Sequence, residues 1–175
     1  MGSAQLQFTE PAIRILENEH RYLMYVAEEW HGIVLRFERE EEMDRDTAIG
    51  LLKELRRLVI EFIEPLKNHT DKEEAHFFPM LGNYIGFEQG PILGIQEEHA
   101  EIDGYIGHFL HHIRGDLGDL TMEQIRSAVG DAGEAFEVLT VHFMKEETVL
   151  FPMAERLMGA NDLDALAEKL NTKII

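Results

Sequence analysis

The sequence predicts an all-α fold, an up-down-up-down antiparallel four-helix bundle with a short C-terminal helix. Apolar residues recur at intervals of three and four along nearly the whole chain, and no strand-like alternation is sustained. The four long stripes are separated by short turn-like segments, and long helices joined by short connections pack as antiparallel neighbours. No low-complexity linker divides the 175 residues. They read as one domain, with the bundle over about 11–158 and a tail helix over about 161–172.

The first helix is expected from Pro11, a favoured first-turn residue. Its stripe is Ile13, Leu16, His20, Leu23, Ala27, Trp30, Val34 and Phe37. It fades in EREEEMDRD, after which Asp46 or Thr47 is the expected cap of the second helix. That helix carries Leu52, Leu55, Val59, Phe62, Leu66, His69, Glu73, His76 or Phe77, and Met80. Pro65 lies inside it and predicts a kink, because proline removes one backbone donor. LGNYIGFEQGP is the next break. The third stripe runs Ile92, Ile95, His99, Ile102, Ile106, Phe109, Ile113. RGDLGDLT turns the chain, and Thr121 with Gln124 reads as a capping box. The fourth stripe is Ala128, Ala132, Ala135, Leu139, His142, Glu146, Val149, Met153, Leu157. Asn161 is the expected cap of the tail helix with Leu163, Leu166 and Leu170, which covers a bundle end or meets a partner.

Composition narrows the chemistry. Lys plus Arg number 16 against 34 Asp plus Glu, a formal charge of −18. Such a field repels phosphate backbones and anionic lipid, so neither nucleic acid nor a membrane surface is an expected partner. There is no cysteine, which excludes disulfides, thiolate metal sites and thiol catalysis. A metal here would need His and carboxylate ligands, which favour iron, manganese or zinc over copper(I). No apolar run reaches the roughly 18 residues of a membrane span. MGSAQLQFTEP has no apolar core of secretory type, so a cytoplasmic location is expected.

The segment HTDKEEAHFFP, from His69 to Pro79, returns as HFMKEETVLFP, from His142 to Pro152. Both read H-x3-E-E-x3-F-P. Residues four apart share one helical face, so the His and first Glu of each copy can reach one metal or two adjacent ones. In an antiparallel pair, residues equidistant from the connection lie at one height. His20 and His69 are equidistant from EEMDRDT, His99 and His142 from the segment at Thr121, and Glu73 and His99 from Gly86. A lone His on an apolar stripe is more often a hydrogen-bonded core residue than a ligand. Here His20, His69, Glu73, His99, His142 and Glu146 fall at one level of all four helices. Burying them without a cation would be costly. Six such ligands exceed what one zinc takes and suit two ions with open positions, such as iron.

These residues resemble the hemerythrin-like HHE cation-binding family, whose pattern is H…HxxxE repeated twice on a four-helix bundle. The resemblance covers about residues 12–158. Within that family, four His plus two Glu looks most like the di-iron branch associated with repair of iron–sulfur centres damaged by nitric oxide or oxidants. It implies His20, His69, His99 and His142 as terminal ligands, Glu73 and Glu146 as bridges, and two iron ions, with manganese or zinc as substitutes. It also implies a small ligand such as O2, NO or peroxide, with a redox or iron-accepting protein as a further partner; the alternative is a non-catalytic O2 or iron binding, sensing or storage module. The chain departs from oxygen carriers at Asp103, where they place a His, and in its last motif, H-x3-E followed by Glu147 rather than H-x4-D. The cysteine-bearing region of many repair proteins is absent.

Asp103 is read as a ligand or, preferably, an exposed carboxylate. His76 continues the line 69, 73, 76, but its counterpart Val149 favours packing. Glu74 and Glu147 recur in both halves as carboxylates that orient ligating imidazoles or simply face solvent. His108, His111 and His112 read as favourable cations at a helix C-terminus. The Phe78–Pro79 and Phe151–Pro152 pairs are expected to close the site's end and stop the helix. His31 and Trp30 read as core-edge packing. A ferritin-like centre needs E-x-x-H on alternate helices. Glu17–His20 and Glu73–His76 fall on the first two, and Leu139 stands where the fourth would need a Glu. No nucleophile–base pair is readable, so no catalytic residue is assigned.

Overall fold

The computed structural model describes residues 5–175. The first residues of the N-terminal stretch read above for a secretory signal lie outside them. Among the described residues the chain is helical, with no strand. α1 (Pro11–Arg39), α2 (Arg45–Lys72), α3 (Phe78–Ile85), α4 (Pro91–His112), α5 (Met122–Lys145), α6 (Phe151–Leu157) and α7 (Ala160–Leu170) follow in order. Five-residue π turns, Glu73–Phe77 and Glu146–Leu150, join α2 to α3 and α5 to α6 into two long rods. With α1 and α4 these rods make the four-helix bundle. No helix among the described residues is long and apolar enough to cross a membrane.

Local chemistry places the ends. Pro11 opens α1. The cap of α2 is Asp44, not Asp46 or Thr47, because its carboxylate accepts from the Thr47 backbone N–H and hydroxyl. Pro65 is buried, yet α2 continues through it, so one missing donor does not end the element. The Thr121–Gln124 capping box forms at the start of α5. α7 begins after Gly159, two residues ahead of the Asn161 cap expected from the sequence.

The Phe-Pro pairs do not stop their helices. In an α register Pro79 and Pro152 would have to donate to the carbonyl four residues back, with their rings in its way. Instead Phe78 N–H donates to the Glu73 carbonyl and Phe151 N–H to that of Glu146, five residues back in each case. The widened turn takes the chain out of the forbidden register, and the helix resumes with proline in its first turn. Each π turn thus begins at the motif's first glutamate.

The interior is two apolar clusters with a polar layer between them. One fills the bundle and includes Leu23, Trp30, Phe62, Phe109, Leu117 and Leu139. The other joins Ile13, Leu16, Phe77, Phe78 and Phe151 to Leu163, Leu166 and Leu170 of α7. α7 lies against α1 and the Glu73–Phe77 turn, so the tail covers this end of the bundle. The segment before α1 is strapped there as well: Glu17 accepts from Phe8 N–H, and Glu155 from Thr9 and Glu10 N–H. Phe8 packs edge-on to Phe151.

Candidate metal centre

Between the clusters, His20, His69, Glu73, His99, His142 and Glu146 are all buried. α1 supplies His20, α2 and its π turn His69 and Glu73, α4 His99, and α5 with its π turn His142 and Glu146. Their donor atoms form two groups of four, each with its atoms within 4.8 Å of one another. His20 and His69 belong to the first, His99 and His142 to the second, and Glu73 and Glu146 to both.

The imidazoles turn their Nε2 atoms toward the shared carboxylates. His69 Nε2 is 3.1 Å from Glu73 and His142 Nε2 is 2.7 Å from Glu146. His20 Nε2 lies 3.7 Å from Glu146, and His99 Nε2 3.6 Å from Glu73. Short as some of these distances are, all four oxygens of Glu73 and Glu146, with His20 Nε2 and His69 Nε2, lack a hydrogen bond of proper geometry. Unpaired buried carboxylates are costly, and cations converging on them remove the cost. Four imidazoles, two shared carboxylates and these orphaned atoms fit a pair of metal ions.

Around this core runs an outer ring of carboxylates. Three Nδ1–H groups donate outward: His20 to Glu147 at 3.2 Å, His69 to Glu19 at 2.9 Å and His99 to Glu74 at 2.8 Å. The fourth, His142 Nδ1, lies 3.8 Å from Glu98 and is unpaired. An Nδ1–H held by a carboxylate leaves the Nε2 lone pair for a metal, the tautomer that ligation needs. Glu74 and Glu147 thus reach across to the histidine of a neighbouring helix.

Sequence reasoning missed Glu19 and Glu98. The signal was present: each immediately precedes the layer histidine of its helix, giving Glu19–His20 and Glu98–His99. Asp103 is exposed and outside both groups, in a groove of about 790 Å³ between α2 and α4 that reaches His99 and Glu74. A second groove, about 560 Å³, reaches His20 and Glu147 between α1 and α5. His76 is half-buried and joins neither group. His31 stacks on Phe136, and His112 faces Asp131, away from the layer. Glu17 serves the N-terminal strap rather than the layer.

Proton affinities follow from these surroundings. Burial holds His20 below the ordinary imidazole value, despite its bond to Glu147. Burial likewise depresses His142. For His69, burial is outweighed by Glu73 and Glu19, and the pKa rises to about 9. For His99, burial is outweighed by Glu73 and Glu74, and its pKa also rises. Burial raises Glu73, but His69 and His99 overcome it and hold this carboxyl well below the usual range. His99 Nε2 lies 3.1 Å from His142 Nε2, across the layer.

No curated protein matches the chain. A family model, the hemerythrin HHE cation binding domain, matches residues 11–154, which include all six residues of the layer. The chain therefore belongs to the hemerythrin HHE cation-binding domain family.

Proposed function

We propose that this is a non-haem di-iron protein whose centre binds or reacts with a small molecule such as O2, NO or peroxide. One observation carries the reading: two buried groups of four donors share Glu73 and Glu146, whose oxygens have no hydrogen-bond partner among the described residues. His20 and His69 would hold one ion, His99 and His142 the other, and the two glutamates would serve both. Manganese or zinc would substitute at the same His and carboxylate donors. Iron held by these residues would supply one-electron chemistry toward the small molecule. The chain's own contribution is to fix imidazole tautomers through Glu19, Glu74 and Glu147, and to surround the layer with apolar side chains. Phe143, stacked 3.9 Å from His20, and Phe78, 5.8 Å from His99, are part of that wall. The two grooves give a diatomic molecule short approaches to His20 and His99. Four His with two Glu also supports a role in oxidative or nitrosative stress, including iron–sulfur repair.

The test is to mix iron(II)-loaded protein anaerobically with NO, and separately with O2 and peroxide, and follow the optical spectrum. An absorption change with at least one of them, absent from metal-free protein, is expected. Identical spectra for loaded and metal-free protein with all three would refute the reading. Repeated consumption of the small molecule in the presence of a reductant would mark turnover, and a single stoichiometric change would mark binding or sensing.

A further inference from the structure

The two halves of the centre differ in what stands behind them. The repeat gives each half a lysine just ahead of its motif glutamate, Lys72 and Lys145. Lys72 is buried; its Nζ donates to Glu19 at 2.6 Å, to the Leu170 carbonyl at 2.8 Å and to the Thr172 carbonyl. Glu19 in turn accepts from His69. The Leu170 carbonyl closes α7, at the negative end of that helix's dipole. Asn68 donates to the Ile174 carbonyl at 2.9 Å, and the Ile174 side chain is buried in the main core, which pins the segment. In the other half Lys145 is exposed and reaches Glu98 at 3.2 Å. Glu98 lies 3.8 Å from His142 and makes no bond to it.

We propose that the C-terminal segment is a working part of the metal centre. By clamping Lys72 it fixes Glu19 on His69 and makes the His20–His69 position the tight one, leaving the His99–His142 position exchangeable. The inference rests on the two-metal reading above. A lysine with three acceptors cannot swing away, so Glu19 is held in place and His69 keeps its Nε2 aimed inward. Among the described residues no chain segment clamps Lys145 in that way, so Glu98 is held only by an exposed lysine and His142 Nδ1 makes no bond to it. The connection works in both directions: filling the first position must stabilise docking of the C-terminal segment by the same factor that docking strengthens binding.

The experiment titrates metal-free, full-length protein with cobalt(II), read by its visible absorption, alongside amide hydrogen exchange of residues 160–175. Wild type is expected to bind in two resolved steps, with protection of the C-terminal amides complete after the first. Lys72→Met should weaken the first step by about 10–100-fold, the usual effect of losing an outer-shell partner. Ile174→Asp, which undocks the segment without altering Lys72 or Glu19, should do the same. Lys145→Met should leave the first step as in wild type. Far-UV circular dichroism confirms that each variant is folded. Two bound ions with a first step unchanged in both Lys72→Met and Ile174→Asp overturn this inference while leaving the dinuclear reading intact. Wild type that binds no cobalt overturns both.

Discussion

Each histidine of the layer has two nitrogens with separate duties. In His20, His69 and His99 the Nδ1 donates to an outer carboxylate while Nε2 faces the shared pair, so these three rings are oriented before any ion arrives. The electrostatics are uneven, however. Glu73 and Glu19 together raise His69 to about 9, despite its burial. Below that value the metal-free protein keeps a second imidazole proton on His69; above it only the Nδ1–H to Glu19 remains. A metal that takes the Nε2 lone pair must expel it, so binding is coupled to proton release. Zinc added at pH 7 in weak buffer should release protons, measurable with a pH-indicator dye, and the release should shrink as pH rises through about 9. Binding with no proton release at pH 7 would contradict the charge assignment of His69.

At the scale of elements, two kinds of device shape the bundle. The π turns begin at Glu73 and Glu146 because Pro79 and Pro152 cannot occupy an α register there, so the motif's Phe-Pro ending sets the backbone at its first glutamate. Capping works independently of the centre. The Thr121 side chain and Gln124 satisfy each other's backbone N–H at the start of α5, roughly 30 Å along the helix from His142. Thr121→Ala should cost ~1 kcal/mol in denaturant unfolding, the usual loss at an N-cap. Metal content should stay at the wild-type value; a fall would mean that α5 transmits its N-terminal fraying to His142. These details show where sequence reading stopped. The helices were legible because each stripe spans many turns, and Thr121–Gln124 because a capping box has a fixed spacing. Asp44 is not distinguishable in sequence from Asp46 and Thr47, since all three are cap-forming residues within one turn. The Phe-Pro pairs have the look of helix ends because proline usually breaks an α register, and a π turn that absorbs it has no separate signature.

Over the whole molecule, a polar layer divides the apolar interior in two. The six layer residues were legible in the sequence because a doubled motif and equal distances from the turns place them at one height. The outer ring was less so. Glu19 and Glu98 lie on charged faces where a carboxylate is ordinary, and only the doubled Glu-His pair sets them apart. The Lys72 clamp was not readable at all, because Leu170 and Thr172 contribute backbone carbonyls, which carry no sequence signal. The layer also makes the molecule's stability depend on what fills it. With metal about a hundredfold above its Kd, ligand linkage adds close to 3 kcal/mol, or roughly 5–10 °C in Tm for a chain of this size. Chelator-treated protein should therefore remain helical and melt lower by about that margin in a circular-dichroism scan. An unchanged Tm would mean that the layer is stable without ions.

The central claim is that Glu73 and Glu146 serve two ions at once, and metal stoichiometry tests it most directly. Wild type and Glu146→Ala would be loaded anaerobically with iron(II), desalted, and assayed for iron per chain with helicity checked in parallel. The account predicts two irons per wild-type chain, falling to one or none when Glu146 is lost. Wild type that is fully folded yet retains no iron, or a Glu146→Ala variant that still holds two, would contradict it.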